Sequence, residues 1–525
     1  MRQEARAGKD SCVMPIPYGT KARLILNKIK KLKDPILEDC YLYRHPGGTF
    51  HCQAKGAYRY FTITGNFFAS GRGICLDQAR FGSLMELSER YSAFKFLANL
   101  KKTRISSFDR LKNNIFTKEH LLANCADDPS LSLVKPEELS GFRLGWQKCF
   151  DSLGNICYLP LRLIADFLEG SNGIAAGFSL EDAMVRGLLE VIERDSLARI
   201  ESAGLNTALI DDRSIEDSQA KKIIQGFLSL GHSVFIRDFS LGRPLPMIGV
   251  VRKVDRSRFL LTASSGLTGQ EALLRALTEN AQIESGRFNL RLVSKNPQYF
   301  SAKHKISIKD LPDIKAGSNK QVLGRLKETI SNCGMAVFFC DVTDEELGIP
   351  VAMTYLSPAK VVSQKEEGKD FIFGLIDELL RVNDKKGAGL LLKRAQFKDR
   401  TRFLFYRANR LIAEDKKAQA LCCFRQLLQG NCSISRFKED SLYWLGLDAF
   451  KRQDKRKAKD YLTALVKIKP GSFYPAFFYC ASPDRFFKDA QQLYLKLWLA
   501  DNYGYIRKFE GEDHCQKQKN LLFQM

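Results

Sequence analysis

The chain has 525 residues, a length that predicts two to four domains. Its residues are 45% hydrophobic and 27% charged, a composition that excludes a fibrous or wholly disordered protein and is typical of globular domains. No run of about 18 apolar residues occurs, which argues against a membrane span. The 14 cysteines form no C-x-x-C pair and the six histidines no H-E-x-x-H or H-x-x-x-H spacing, which argues against zinc sites. The N-terminal segment has no apolar stretch typical of a signal peptide, so we expect a cytoplasmic protein with reduced thiols.

The net charge of +23 is unevenly distributed along the chain. Residues 381–525 contain 30 Lys and Arg against 15 Asp and Glu, so this last quarter carries +15 of the total. Such a basic surface suits an acidic protein, an acidic peptide or nucleic acid, and a solvated helix surface is the plain alternative.

In chain order, residues 18–32 are predicted to form an amphipathic helix. Segments rich in β-branched and aromatic residues are predicted to form strands: YRYFTIT (58–64), HSVFIRDFS (232–240), PMIGVVRKV (246–254), FLLTAS (259–264), MAVFFCDV (335–342) and IPVAMTYL (349–356). Residues 100–145 and 286–325 give weak signals that indicate loops with variable helices. Strands mixed with helices predict an α+β core.

Three segments of the chain repeat one pattern, at residues 70–94, 175–199 and 264–287. In each copy a glycine precedes a glutamate by 13 residues; the pairs are Gly73 and Glu86, Gly177 and Glu190, and Gly266 and Glu279. Three residues further on stand Glu89, Glu193 and Gln282, and an arginine follows in the first two copies, Arg90 and Arg194. The pattern predicts a glycine-bearing turn that leads into a helix.

Residues i and i+3 of a helix project from one face, so each glutamate pair points in one direction. Two such pairs brought together would offer only oxygen ligands, which Mg²⁺ prefers, and arginines beside them would bind phosphate oxygens. A single E-x-x-E is usually a solvated helix face. Three registered copies in strongly apolar sequence favour a binding site instead. No Walker A sequence occurs.

The three segments resemble the nucleotide-binding motifs of the YcaO family, and CDVTDEELGIPVAMTYL (340–356) is similar to that family's final core strand region. The resemblance covers roughly residues 15–360. It implies a YcaO-type core of mixed sheet and helices and an ATP-dependent enzyme that activates backbone amides of peptides. In that family a nucleophile adds to the amide carbon, ATP phosphorylates the carbonyl oxygen and phosphate then leaves, which gives azolines, amidines or thioamides.

The resemblance also implies roles for individual residues. The magnesium-holding carboxylates are Glu86, Glu89, Glu190 and Glu193. The positions at the nucleotide are Arg72, Arg90, Asn172, Arg194, Glu279 and Gln282. The residues expected to act in catalysis are Glu190, Glu193 and Arg194. Arg72 replaces the lysine often found in the family, which keeps the charge and changes the donor geometry.

One departure concerns the reaction. Azoline-forming members commonly end in a P-x-P-x-P tail, whereas this sequence ends NLLFQM. This counts against simple cyclodehydration and leaves thioamide formation or an accessory role open. The alternative to an enzyme is therefore a non-catalytic factor that recruits partners, for example for methylthiolation of a ribosomal protein.

The last part of the chain follows a tetratricopeptide pattern. Over residues 438–472 the expected positions are taken by Trp444, Gly446, Ala458, Tyr461, Ala464 and Pro470. A looser copy precedes it, with Ala420 and Phe424, and residues 472–502 are interpreted as a degenerate third unit. A plain helical cap is the alternative.

We therefore expect a YcaO-like domain over residues 1–370, a linker over 371–400 and an all-α tetratricopeptide-like domain over 401–525. The polar segment 357–370 marks the boundary. The helical repeats are expected to bind a partner protein, which could be TfuA-like, E1-like or a methylthiotransferase. An acidic protein is favoured over nucleic acid, and a homodimer is compatible with the sequence.

Overall fold

The structure, a computed structural model, describes most of residues 17–464. The stretches within that range that it does not describe are 65–66, 99–103, 112–113, 125–127, 162, 164–171, 256–258, 284–299, 301–303, 315–316, 360–370, 397–398, 431, 433, 455, 458–459 and 462–463. The described strands form three sheets, which helices cover.

The first sheet has three antiparallel strands in the order β1-β2-β3. Its elements and their neighbours are α1 (Tyr18–Lys30), β1 (Leu37–Arg44), β2 (Phe50–Gly56), α2 (Tyr58–Thr64), β3 (Phe68–Gly73) and α3 (Leu76–Ala98). The long helix α3 packs on β2 and β3, and α1 packs on α3. The predicted helix at residues 18–32 is confirmed.

The strand prediction for YRYFTIT was wrong, because this segment forms the helix α2. Tyr60 is completely buried, and Gly56 lies so close to its ring that a Cβ there would be 2.1 Å from the ring. The Thr64 hydroxyl donates to the Tyr60 carbonyl at 2.9 Å, one helical turn back. Tertiary packing therefore overrides the strand preference of these aromatic and β-branched residues.

The second sheet has the strand order β4-β5-β13-β14-β7, and a further strand, β6, pairs with β5. The strands are β4 (Arg104–Ser106), β5 (Leu144–Phe150), β6 (Ile156–Pro160), β7 (Ile174–Ala176), β13 (Ala336–Asp341) and β14 (Val351–Ser357). The short helices α4 (Lys118–Asn124) and α5 (Pro136–Gly141) precede β5, and the long helix α6 (Leu180–Ala203) follows β7 and packs on β14.

The third sheet has the order β11-β10-β9-β8-β12. Its strands are β8 (Leu209–Ile210), β9 (Ser233–Asp238), β10 (Met247–Lys253), β11 (Phe259–Ser265) and β12 (Lys305–Ile306). The helices α7 (Ser218–Ser229) and α8 (Gly269–Ile283) pack on this sheet, whereas α9 (Asn319–Asn332) packs on α6 and on β13 of the second sheet. The strands predicted within 232–264 and 335–356 are confirmed, and so is the α+β class of the core.

Five helices form the last described part of the chain: α10 (Phe371–Arg381), α11 (Lys385–Ala395), α12 (Arg400–Ala413), α13 (Lys417–Gln429) and α14 (Ser435–Lys451). Consecutive helices pack on one another. The segment predicted as a linker contains α10 and α11, and buried residues such as Ile372, Phe373 and Leu391 join the same apolar cluster as the second sheet. This segment is therefore helical and packed rather than extended.

The domain boundaries and the tetratricopeptide repeat stay predictions. The helices α12 and α13 coincide with the looser predicted copy, and α14 carries Trp444 and Gly446. The predicted third unit, 472–502, lies outside the described residues, as does Pro470. Within the described part of the chain, no helix combines the length and the apolar character needed to cross a membrane.

Candidate active site

Three strand–helix units, β3–α3, β7–α6 and β11–α8, correspond to the three repeated segments. A Cβ on Gly177 would lie 2.4 Å from the nitrogen of Ala183, and one on Gly266 would lie 2.6 Å from the nitrogen of Ala272. A real Cβ cannot lie so close to backbone atoms, so these two turns require glycine if each strand end is to pack on the start of its helix.

The helix α6 is buried along most of its length. Its first turn is capped by the Ser179 hydroxyl, which accepts the backbone N–H of Asp182 at 3.1 Å, and Gly204 ends the helix with a φ of 59°. Apolar side chains surround the helix and are buried: Leu188, Leu189, Val191, Ile192, Leu197 and Ile200. The carboxylate pair of this helix therefore stands among apolar neighbours along the helix and needs specific polar partners.

In the first unit, the two carboxylates of α3 have different partners. Glu86 accepts the backbone N–H of Ser70 at 2.8 Å and forms an ion pair with Arg90, one turn further along the helix. Glu89 instead accepts the backbone N–H of Ala176, which belongs to the strand of the second unit. The first unit is thus connected to the second through a site residue.

In the second unit, Arg194 lies between both carboxylates of α6. Its guanidinium nitrogens are 3.7 Å from Glu190 and 3.6 Å from Glu193. Glu190 accepts the backbone N–H of Gly173, and Glu193 accepts that of Ser265 at 3.3 Å. Since Ser265 is the last residue of β11, the second unit reaches the strand of the third.

In the third unit, Glu279 of α8 forms an ion pair of 2.8 Å with Arg72 of β3 and accepts the hydroxyl of Ser264 at 3.4 Å. Gln282 and Asn172 are both buried. Asn172 directly precedes the glycine that donates to Glu190.

Each helix therefore reaches the strand of another unit: α3 reaches β7, α6 reaches β11, and α8 reaches β3. The three contacts close a ring, and the site residues predicted on all three units are drawn toward one region. The structure brings together the carboxylates and arginines that the sequence singles out, while their chemical roles stay a proposal.

Burial dominates the electrostatics of the carboxylates in this region. Burial raises the pKa of Glu190 to about 7 despite the opposing effect of Arg194, and burial likewise raises the pKa of Glu193 to about 7. Burial also holds the pKa of Glu89 well above its usual range, and the carboxylates of Glu190 and Glu86 add to that shift. Because the carboxylate of Glu190 raises the pKa of Glu89, the carboxylates of α3 and α6 lie within electrostatic reach of each other.

Burial acts on the arginines in the opposite direction. Burial lowers the pKa of Arg194, but Glu193 and Glu190 outweigh it, so the net shift of this pKa is upward. Arg90 behaves in the same way beside Glu86. Both guanidinium groups are therefore fixed as cations next to the carboxylates.

The donor chemistry fits a hard divalent cation, because repelling carboxylates with raised pKa values are stabilised by such an ion. Within the described residues, however, no group of three or more His, Cys, Asp or Glu side chains is arranged to hold a metal ion. The carboxylates are directed at arginines and backbone N–H groups, so metal binding requires them to turn toward the ion.

Two arginines that the sequence interpretation missed also lie here. Arg186 and Arg275 each stand four residues before the glutamate of their unit, and this shared register is the signal that could have identified them. Arg186 donates to Asp182 at 3.0 Å, and Arg275 donates to the Ser265 carbonyl at 3.1 Å. Burial lowers the pKa of Arg275, and the nearby cations Arg186 and Arg72 lower it further. Three arginines thus gather beside the carboxylates, which is an arrangement suited to an anion.

Comparison with known proteins identifies the family and the fold of the chain. The model of the YcaO family, described as a cyclodehydratase that binds ATP and Mg²⁺, matches residues 70–356, just over half of the chain. An uncharacterised protein of Methanothermobacter thermautotrophicus is 24% identical over 333 residues, which are 57% of this chain and 83% of that protein.

Two solved structures share the fold. The YcaO protein of Methanopyrus kandleri, bound with AMPPCP and Mg²⁺, has a TM-score of 0.51 and 19% identity, and the match covers 67% of this chain and 96% of that one. A heterocyclase in complex with substrate and cofactor has a TM-score of 0.56 and 18% identity over 73% of this chain. The match spans 57% of the heterocyclase, little more than half of its length.

Proposed function

Because the chain belongs to the YcaO family, whose cofactors are ATP and Mg²⁺, we propose that it activates a backbone amide of a peptide or protein. The observation that supports this most is that the glutamate pairs of α3 and α6 lie within electrostatic reach of each other, each beside an arginine. Positioned metal ions and guanidinium groups are what phosphoryl transfer needs, and side-chain proton chemistry is not required.

We assign the metal to Glu86, Glu89, Glu190 and Glu193. Each pair now has an arginine between or beside its carboxylates, so the same arginines can turn to phosphate oxygens when the carboxylates turn to the metal. Bound ATP would supply the phosphoryl group that activates the amide oxygen. Arg194 is then placed within reach of both the metal ligands and the phosphate.

All three units contribute the other polar groups in this proposal. Arg72, Arg186 and Arg275 offer guanidinium donors to the polyphosphate, and Glu279 keeps Arg72 oriented through the 2.8 Å ion pair. Asn172 and Gln282, both buried, are assigned to the nucleotide as neutral polar groups. Gln282 is neutral and stands where the other two units have a second glutamate, which limits the charge that the metal must offset.

The family and the described relatives support the proposed substrate class. The M. kandleri protein was bound to an ATP analogue, and the heterocyclase was bound to its substrate. We propose a peptide or protein substrate here, with cyclodehydration or thioamide formation as the outcome, and a partner protein that delivers substrate or sulfur to the site.

Oxygen-18 in a peptide carbonyl tests the activation step. The protein is incubated with ATP, Mg²⁺ and synthetic peptides labelled at one amide, with Cys, Ser or Thr following it, and in a second series with added sulfide. Amide phosphorylation transfers the label to inorganic phosphate, while the peptide loses water or exchanges oxygen for sulfur. Peptide-stimulated ATP hydrolysis that leaves the phosphate unlabelled contradicts the proposal.

A second candidate, an accessory factor for a modification such as ribosomal protein methylthiolation, is favoured by the basic helices. On α11 the exposed residues Lys386, Leu390 and Lys393 lie along one face of the helix. On α12 the exposed residues Arg400 and Arg407 lie on one face with Phe403 between them. These helices, with the tetratricopeptide-like domain proposed after residue 400, are our candidate surface for an acidic partner. An accessory role predicts nucleotide binding without peptide-stimulated label transfer.

A further inference from the structure

The residues that directly follow the Glu193–Arg194 pair on α6 are bound by a loop from the third sheet. This loop, residues 239–246, connects β9 to β10. Asp195, whose side chain is completely buried, forms an ion pair with Arg243 of the loop. Arg243 also donates to the hydroxyl of Ser196 at 3.0 Å. One guanidinium group thus binds two successive side chains of the helix.

The 239–246 loop is itself held in a constrained shape. Leu241 has a φ of 56°, in the left-handed region that a leucine rarely adopts, and Gly242 follows at 71°. The Arg243 backbone N–H donates to the Ser240 carbonyl at 3.1 Å, which closes the turn. Strain of this kind persists only where the surrounding structure imposes it, and here the turn delivers Arg243 onto α6.

The same loop is anchored to the other side of the site. The Pro246 carbonyl accepts the backbone N–H of Gly266, the motif glycine of the third unit, at 3.2 Å. Met247, the next residue, pairs with Ser265 across β10 and β11. Since Ser265 donates to Glu193, the strand end binds this carboxylate while the loop binds the two residues that follow Arg194.

We infer that Arg243 is a positioning residue for the metal-binding carboxylates of α6. Resting on the proposed function, the inference is that Arg243 fixes the rotation of α6 through Asp195 and Ser196, so that Glu193 and Arg194 face the site. Groups that orient metal ligands in this way typically change metal affinity about 10–100-fold when they are removed.

The chain supplies a matched control. Arg199 donates to the same oxygen of Asp195 at 2.9 Å, but it lies on α6 itself, four residues further along. Arg199→Gln removes one guanidinium from the buried carboxylate and leaves the helix tethered to the loop. Arg243→Gln removes one guanidinium and also breaks the tether, and Arg243→Lys keeps a cation beside Asp195 without the fork that reaches Ser196.

The test measures Mn²⁺ binding by electron paramagnetic resonance with AMPPCP present, on full-length protein whose melting curve shows that it is folded. We expect Arg243→Gln to weaken Mn²⁺ binding about tenfold or more, Arg243→Lys to fall between it and wild type, and Arg199→Gln to stay within about threefold. Equal effects of Arg243→Gln and Arg199→Gln overturn the positioning role. A wild-type protein that binds no Mn²⁺ overturns the proposed function instead.

Discussion

Replacing Glu190 and Glu193 by glutamine keeps the shape of both side chains and removes two buried negative charges. In the folded protein the pKa of each carboxyl is raised to about 7, first of all by burial. A group with a raised pKa stabilises the folded state fully below its unfolded pKa, and this contribution is lost as pH rises through the folded value. The ligand-free wild-type protein therefore loses stability between about pH 4.5 and pH 7.

The shift from about 4.5 to about 7 corresponds to about 3 kcal/mol for one carboxyl, at about 1.4 kcal/mol for each pKa unit. Because the two carboxyls share Arg194, we expect about 3 kcal/mol for the pair rather than twice that amount. An unfolding entropy of about 2 cal/mol/K per residue makes this about 3 °C for a chain of this length. The double variant lacks this titration, so at about pH 8 it should melt at or above the wild-type temperature.

Differential scanning calorimetry at about pH 5 and pH 8, with and without ATP and Mg²⁺, measures both effects. Ligand at 100 times its dissociation constant stabilises the folded wild-type protein by about 2.7 kcal/mol, and the double variant should show no such shift. Glu181→Gln, on the exposed first turn of α6, is the matched control and should retain the ligand shift. A double variant that melts early at pH 8 yet still responds to ATP and Mg²⁺ refutes the reasoning, because its carboxylates then serve the core.

Three further predictions concern the same site and its scaffold. Titration calorimetry should detect ATP binding only with Mg²⁺ present, and the affinity should be higher above about pH 7, where the buried carboxyls are ionised. An equal affinity in the presence of a chelator contradicts the metal role. The double substitution Arg186→Gln and Arg275→Gln should weaken binding of ATP more than binding of adenosine. The expected loss for ATP is about tenfold, which corresponds to one charge-assisted hydrogen bond of about 1.5 kcal/mol. An equal loss for both ligands would indicate a structural role. Gly177→Ala should lower the free energy of unfolding, measured by urea titration, by more than about 2 kcal/mol, because the new Cβ would lie 2.4 Å from a backbone nitrogen. The control Gly324→Ala, in open space within α9, should raise it by about 0.5–1 kcal/mol.

The repeated segments could be predicted from the sequence because glycine, glutamate and arginine recur there in one register. Arg186 and Arg275 stand in the same register, but they lie one helical turn before the glutamates, outside the acidic pairs that mark the pattern. The segment at 58–64 could not be assigned from local preference, since the burial of Tyr60 against Gly56 decides its helix.

Other features depend on contacts that are distant in sequence. Arg243 meets Asp195 from 48 residues away, and nothing in the local pattern of either residue indicates the pair. The helices at 371–395 looked like a connection because the polar segment before them suggested a boundary. Their apolar faces pack into the same cluster as the second sheet, and only the three-dimensional arrangement reveals that.

The ring of contacts among the three strand–helix units determines how nucleotide binding is lost when the protein unfolds. Because Glu89, Glu193 and Glu279 each bond to a unit other than their own, no unit can complete its part of the site alone. If any one sheet unfolds, a carboxylate of a neighbouring unit therefore loses its hydrogen-bond or ion-pair partner. Nucleotide binding should accordingly be lost in one cooperative step with the folding of all three sheets, and a fragment that carries two intact motifs should retain none of it.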